Sequence, residues 1–475
     1  MRYSLKIQLS VAVLLVIAAV SVLLSGDVSA LWQNVRIFAD DECIAFEDAE
    51  PILRGGSIYA PVIDVLNALS LKNGYTDYDG ELTVKNNGNT YVMNFIDGTA
   101  LKNGEDCGFD IDTEIIDSKP YAALRDFCRF IDCEISWDSQ AFAAKIKIAE
   151  KPNPMTGTEI NDEYRFYDCL GKHQQYAVFS KGGDKLCAEM VDMTADKRSR
   201  YSSIVNSIAE AVPEAETYNI VLPTASDFYA PSGYSTNHLG EIYNIYQNLS
   251  DDVTPINAVR PLSKHLGENI FFKTDHHWTQ LGAYFVYKEF LNYTGQAIDP
   301  PEAFRRDEPI VFQGSFLEYL NNTELYDDIC DTYDVLELYY PQTEFEGKSY
   351  YDAELNEYIA DMIGINPAFA NYDALLEGDY PVEVFKTNAA SGKKLCIIKE
   401  SFGNAFAAWA LNNYSEVYVI DYRCFNNYYG REESSREFKI SEFYEKVRFD
   451  DLVIMNYPVS VNGTQELDAL AAIAG

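Results

Sequence analysis

Unbroken apolar runs mark the second half of the chain, each bounded by charged or turn-forming residues. ETYNIVLPTA (216–225), KKLCIIKE (393–400), SEVYVIDYR (415–423) and DDLVIMNYP (450–458) are of this kind. A strand covered on both faces shows no polar side, so such runs predict the interior strands of a sheet. Between them, NAFAAWALNNY (404–414) and ISEFYEKVRF (440–449) place their apolar residues at helical intervals. Strands of that type alternating with helices predict an α/β domain, its mostly parallel sheet covered by helices on both faces.

The first part of the chain follows a different plan, and it repeats. SIYAPVIDVLNALSLKNGYTDYDGELTVK (57–85) and KPYAALRDFCRFIDCEISWDSQAFAAKIKI (119–148) each open on Tyr-Ala. Each continues through an apolar helix carrying Asp64 or Asp126, an aromatic-Asp pair, and a strand. TYVMNFI alternates as a strand does, beside the turn residues NNGN. This predicts a small α+β repeat module over 31–150, with nothing catalytic in it. KPNPMTGTEI (151–160), with its prolines and glycine, is the expected linker, and 161–475 the second domain.

Length agrees with two domains, since 475 residues exceed one ordinary core. Charge narrows the partners: 37 basic against 74 acidic residues leave a net charge of -37. Such a surface repels phosphate backbones and disfavours anionic lipid, so nucleic acid is not expected as a partner. At the N-terminus Arg2 and Lys6 precede the uncharged LSVAVLLVIAAVSVLL (9–24) and the small-residue site Val28-Ser29-Ala30. Residues 1–30 therefore read as a cleaved signal peptide or a single membrane anchor, and either one exports the rest. Nine cysteines, an odd number without a CxxC pair, leave at least one thiol unpaired. Cys128 and Cys133 are close enough in sequence to bridge, although small buried thiols are the commoner outcome.

FFKTDHHWTQLGAY (271–284) holds two of only five histidines. Adjacent residues diverge in a strand or a helix, but Asp275 and His277, two apart, share a face where the chain is extended. A carboxylate there fixes the tautomer and orientation of the imidazole. Thr279 is the expected N-cap of the helix that follows, with Ala283, Val286, Tyr287 and Phe290 as its apolar stripe. The partner for such a base is Ser401, which follows the strand LCII and opens the helix NAFAAWAL. It should stand at the carboxyl end of a parallel strand, where ligand crevices form. The helix end behind it offers N–H groups to an oxyanion, Gly403 allows close approach, and Asn404 adds a side-chain donor. Two other readings stay open. A metal would need more ligands than the scattered His173, His238 and His265 suggest. Alternatively, Asp275 and His277 only bond the start of the next helix.

The segments TDHHWTQLGAYFVYKEF, KESFGNAFAAWALNNY, VYVIDYR and VLPTASDFYAP together resemble the DHHW protein family of exported bacterial proteins, over roughly 160–475. That family is similar to SGNH-hydrolase-like proteins that O-acetylate alginate and other exopolysaccharides. The resemblance implies an SGNH-like fold and a triad of Asp275, His277 and Ser401, with Trp278 following the histidine. Glu400 departs from the pattern, which has Asp before the serine, and Lys399 stands where a small glycine is usual. The added methylene moves that carboxylate by about 1.5 Å. Arg423 either neutralises an intermediate or a uronic carboxylate, or is a strand-end ion-pair partner. The module at 31–150 resembles the copper amine oxidase N-terminal-like domain. It contains no histidine, and the name implies no copper.

These residues imply serine acyl-ester chemistry, O-acetyl transfer or deacetylation, on a cell-surface or extracellular polysaccharide, with an acetyl donor and no cofactor. The alternative is a catalytically weakened or inactive glycan-binding protein at the cell surface, which Glu400 favours. A third reading, a metal-dependent phosphoesterase, lacks the further Asp and His motifs that class carries. Tyrosines and Trp278 are candidates for stacking on sugar rings.

Overall fold

The computed structural model describes residues 35–474 except 40–41, 47–48, 55–56, 77, 79, 87–88, 103, 110, 139–142, 149–152, 235 and 426–435. The expected signal or anchor lies outside the described residues. Among those described, no helix is long and apolar enough to cross a membrane. The chain forms two compact units, Met1–Pro152 and Asn153–Gly475. From 153 onward the segment expected as linker packs on the second unit, where the Pro154 carbonyl accepts from Asn257 Nδ2.

In the first unit the sequence repeat is a structural repeat. The strand Ser57–Pro61 leads into the helix Val62–Ala68, and the strand Lys119–Ala123 into the helix Leu124–Phe130. The two strands pair antiparallel with Ala60 opposite Ala122, so a local two-fold relates the halves. Val62, Val65 and Leu66 are buried in one helix, and Leu124, Phe127 and Cys128 in the other. That i, i+3, i+4 spacing is what puts one face of a short helix into the core. A five-stranded meander over Lys72–Asp106 completes the α+β module. All nine cysteines are free, Cys128 and Cys133 included.

The second unit is built on an eight-stranded sheet. Its strands in chain order are β1 (Glu216–Val221), β2 (Val253–Pro255), β3 (Phe345–Tyr350), β4 (Tyr358–Met362), β5 (Val382–Thr387), β6 (Lys394–Lys399), β7 (Glu416–Asp421) and β8 (Asp451–Asn456). Across the sheet they run β2-β1-β8-β6-β7-β5-β3-β4. The first five in that order are mutually parallel, and β5, β3 and β4 are antiparallel additions. The apolar runs read from the sequence are β1, β6, β7 and β8, at the centre. Every residue of β8 is buried, which requires cover on both faces. The fold is α/β with a mostly parallel sheet.

Two helices fix the site. α1 (Gln280–Thr294) is capped by the Thr279 hydroxyl, which accepts from Gly282 N–H at 3.1 Å, and ends on left-handed Gly295. Its expected stripe of Ala283, Val286, Tyr287 and Phe290 is fully buried. α2 (Gly403–Ala410) follows β6 across a sharp turn. The helices are joined by Tyr287 edge-on to Phe406, and by Trp409 Nε1 donating to the Gln280 carbonyl at 2.8 Å.

Candidate active site

The segment between Phe271 and Trp278 is neither strand nor helix. A single bridge between those two residues closes it into a tight loop, and Thr279 then starts α1. Inside the loop the Asp275 side chain makes an Asx turn: Oδ1 accepts from the His277 backbone N–H at 3.0 Å. The same oxygen lies 2.6 Å from His277 Nδ1. Asp275 and His277 thus meet through a turn rather than along an extended strand. With its Nδ1 proton on Asp275, the ring presents Nε2 as an acceptor, 2.8 Å from Ser401 Oγ. The three side chains form one hydrogen-bonded line, although 124 residues separate the histidine from the serine.

Neighbouring groups hold that line in place. The Asp275 Oδ2 accepts from Ser315 N–H at 2.9 Å. A Cβ on Gly314 would stand 2.2 Å from the Asp275 Cβ, so only glycine lets this strand of backbone approach. Tyr372 stacks flat on the His277 ring, 3.7 Å between centroids at 4°, and donates its hydroxyl to the Phe402 carbonyl at 3.2 Å. Burial alone would raise the Asp275 carboxyl. The His277 ring bonded to it and the Ser315 N–H outweigh it and hold the group well below the usual carboxylate range.

His276 also enters the site, contrary to the expectation that adjacent side chains diverge. Its ring lies 3.8 Å from that of His277, because the loop bends there and neither regular periodicity applies. Its Nδ1 bonds the Ser315 hydroxyl at 2.7 Å. Burial, then the neighbouring His277 ring, push it down to about 3, so the ring is neutral. Donor atoms of Asp275, His276 and His277 lie within 4.8 Å of one another, as a metal site would need. Both His277 nitrogens, however, are engaged with Asp275 and Ser401. The reading in which Asp275 and His277 only bond the next helix fails on geometry, since Thr279 does the capping.

Ser401 sits just past the carboxyl end of β6, in the turn where Gly403 N–H bonds the Glu400 carbonyl at 2.9 Å. It is half-buried, and its own backbone N–H makes no hydrogen bond among the described residues. The N–H groups that follow it, expected to serve an oxyanion, are taken up inside the turn: Phe402 on Glu400 Oε2, Gly403 on the Glu400 carbonyl and Asn404 on the Ser401 carbonyl at 3.1 Å. α2 therefore adds the positive end of its dipole behind Ser401 and no free donor.

Several residues predicted at the site do something else. Asn404 Nδ2 donates to the Gly378 carbonyl at 3.2 Å and to Asp379 Oδ1 at 3.1 Å, so the amide is not an oxyanion donor. Reversing the amide would point its oxygen at two acceptors. Gly403 makes room for Lys399, whose Cβ would be 2.4 Å from an added Cβ, not for substrate. Trp278 is a core residue, 1% exposed, with Nε1 donating to the Phe402 carbonyl at 2.9 Å, and no sugar can reach it. Arg423 is the ion-pair partner of the two readings, donating to Asp379 at 2.7 Å and to Asp421 at 2.6 Å. Lys399, fully buried, joins the same two carboxylates at 2.8 and 3.2 Å. This cluster ties together the carboxyl ends of β6 and β7. Glu400 Oε2 accepts from the Phe402 N–H at 2.9 Å, while Oε1 is buried without a partner. Burial pushes its carboxyl up to about 7, with Arg423 opposing.

A buried polar centre elsewhere in the unit came from VLPTASDFYAP. His238 donates Nδ1–H to Asp227 at 2.9 Å and Nε2–H to the Val191 carbonyl at 2.5 Å. Burial opposes its charge, but Asp227 and the Val191 carbonyl push it up to about 9. With both nitrogens donating it is a buried cation that pins loops, not a base.

Comparison with known proteins followed the same division of the chain. The family model described as DHHW protein matches residues 180–420, and that of the copper amine oxidase N-terminal domain matches 38–146. A crystal structure of a DHHW family protein from Eubacterium siraeum is 22% identical, covering 64% of this chain and 97% of that one, with a TM-score of 0.55. This likeness shows a shared fold. Bacillus cereus PatB1 with a sulfonyl adduct is 16% identical over 62% of this chain and 99% of its own, at a TM-score of 0.49. The O-acetyltransferase domain of Pseudomonas putida AlgJ is 10% identical over 64% and 98%, at 0.36. No curated protein sequence matches significantly.

Proposed function

The chain belongs to the DHHW protein family, and from that premise we propose that it is a serine acyl-ester enzyme acting on an extracytoplasmic polysaccharide. Ser401 Oγ attacks the carbonyl carbon of an acetyl ester while His277 Nε2 takes the hydroxyl proton. The tetrahedral oxyanion is held by the Ser401 N–H, with the positive end of the α2 dipole behind it. Its collapse breaks the ester bond, and the departing alcohol takes the proton back from His277. Water or a sugar hydroxyl then gives a proton to His277 and accepts the acetyl group, and Ser401 Oγ takes that proton from His277 as its ester bond breaks, making the protein an esterase or a transferase. The observation that carries this reading is the 2.8 Å contact from Ser401 Oγ to an imidazole whose other nitrogen is 2.6 Å from a buried carboxylate. The apolar run 9–24 supports the extracytoplasmic address.

A second reading, glycan binding without turnover, is favoured by one observation: Asn404 is committed to Asp379 and contributes no oxyanion donor. Loss of one such donor typically costs about 10²–10³ in kcat. Hydrolysis of an aryl acetate by wild type and by Ser401→Ala separates the two. Serine-dependent turnover supports the enzyme; equal rates in both proteins leave binding alone. Running the assay with and without a chelator tests a metal at Asp275, His276 and His277, which would make the turnover chelator-sensitive.

A further inference from the structure

Beside the triad lies a cluster of aromatic rings that the acyl-transfer steps do not use. Tyr319 and Tyr457 flank His276, at 6.3 and 6.2 Å between ring centroids. Tyr319 is 45% exposed, and Tyr176 backs it in a stack at 5.5 Å and 20°. Tyr457, half-buried, stacks on Phe402 at 4.5 Å, next to Ser401. The platform is fixed to the catalytic loop at two points. Ser315, which bonds both Asp275 and His276, immediately precedes the short helix Phe316–Tyr319. The strand Asp184–Glu189 is held by the Cys187 N–H on the Lys273 carbonyl at 2.9 Å.

Polar groups converge on the same place. Gln175 Nε2 donates to the Tyr176 hydroxyl at 3.2 Å and, at the long distance of 3.5 Å, to Glu189 Oε1. Glu189 is 6% exposed and acts electrostatically on Tyr176, Tyr319 and Tyr457. A nearly buried carboxyl with one marginal hydrogen bond has capacity for a ligand hydroxyl. Exposed rigid tyrosine faces beside convergent hydroxyl-binding groups are what a sugar ring requires.

The charges select among sugars. Arg423, a cation that acts on Tyr457, is held by both Asp379 and Asp421, as is Lys399. Among the described residues, a uronate carboxylate would therefore find both of these cations already paired. It would meet the Glu189 carboxyl instead, which burial pushes up to about 7, on a chain of net charge -37.

We propose that Tyr176, Tyr319 and Tyr457, with Gln175 and Glu189, form the subsite for a neutral sugar ring of the polysaccharide next to the acyl-accepting serine. The proposal rests on the acyl-ester reading for its orientation, but its test does not depend on turnover. Binding is measured by titration calorimetry on the Ser401→Ala protein. The probes are neutral xylo- and chito-oligosaccharides and acidic oligomannuronate. One neutral series should bind, and oligomannuronate should bind at least tenfold more weakly or not at all. Tyr319→Ala should weaken the neutral probe about tenfold, the loss of one stacked ring, and Tyr319→Phe should restore most of it. Tyr358→Ala, at a 50% exposed tyrosine on the edge strand β4, should change nothing. Tighter binding of oligomannuronate, an unaffected Tyr319→Ala protein, or no binding of any probe would each overturn the subsite. Serine-independent ester hydrolysis alongside intact, Tyr319-dependent binding would overturn only the enzymatic reading.

Discussion

Replacing Gly314 by alanine should disable the triad from a position that touches neither Ser401 nor His277. The added Cβ would lie 2.2 Å from the Asp275 Cβ and 2.7 Å from its Cα and Oδ2. Ordinary contact begins at 3.4 Å, so one of the two backbones must give way by roughly 1 Å. Gly314 is not in the left-handed region, which makes the effect steric and not conformational. Asp275 is held on its far side by the His277 N–H and Nδ1, so a displaced carboxylate carries the imidazole with it. A 1 Å shift takes the 2.8 Å contact between His277 and Ser401 out of hydrogen-bond range. The expected result is a loss of about 10² in kcat toward an aryl acetate. A stability loss of about 1–3 kcal/mol by urea unfolding should accompany it. A folded Gly314→Ala protein with kcat within about twofold of wild type would refute the argument that Asp275 must be held where it is.

Asp275→Asn should lower kcat/KM by about 10³–10⁴ with little change in KM, because the imidazolium loses the charge that orients and stabilises it; a loss below tenfold would count against the triad. Glu400, pushed up to about 7 by burial, binds a proton more tightly folded than unfolded, so stability should fall as pH rises from about 4.5 to about 7. Urea titrations of Glu400→Gln should lack a decline of on the order of 3 kcal/mol over that window, and parallel curves for both proteins would contradict the assignment. His238, pushed up to about 9, contributes stability that is complete below about pH 6.5 and lost as pH rises through about 9. His238→Gln, which leaves Asp227 buried without its counter-charge, should cost roughly 3–5 kcal/mol near neutral pH, and a loss below about 1 kcal/mol would show that pair to be dispensable.

The parts of the fold that were legible are those whose burial is two-sided. β6, β7 and β8 could be read because LCII, VYVID and LVIM leave no polar face, and the helix pair of the first unit because its plan is written twice. The three antiparallel strands of the sheet were not predicted. FEGKSY (345–350) and the edge strand YIADM (358–362) carry mixed residues and resemble loops in sequence. At the site, Asp275, His277 and Ser401 were found from local spacing and position, whereas their supports were not. Gly314, Ser315 and Tyr372 lie far along the chain from 275, and nothing in QGSF or NYDA marks a residue that packs on a distant loop. His276 was misjudged because strand and helix periodicities were applied to a bend. Asn404 and Trp278 were read toward the oxyanion and the substrate, and Arg423 was left between substrate and an ion pair, because Asp379 and the Phe402 carbonyl, which hold them, carry no sequence signal.

The most direct test is to trap the intermediate. Wild-type protein, Ser401→Ala and His277→Ala would each be mixed with an aryl acetate, quenched in acid, digested and examined by mass spectrometry. The account predicts an acetyl group on Ser401 in the wild-type peptide, none in Ser401→Ala, and a far smaller amount in His277→Ala. Acetyl on a different side chain, or equal labelling of all three proteins, would contradict it.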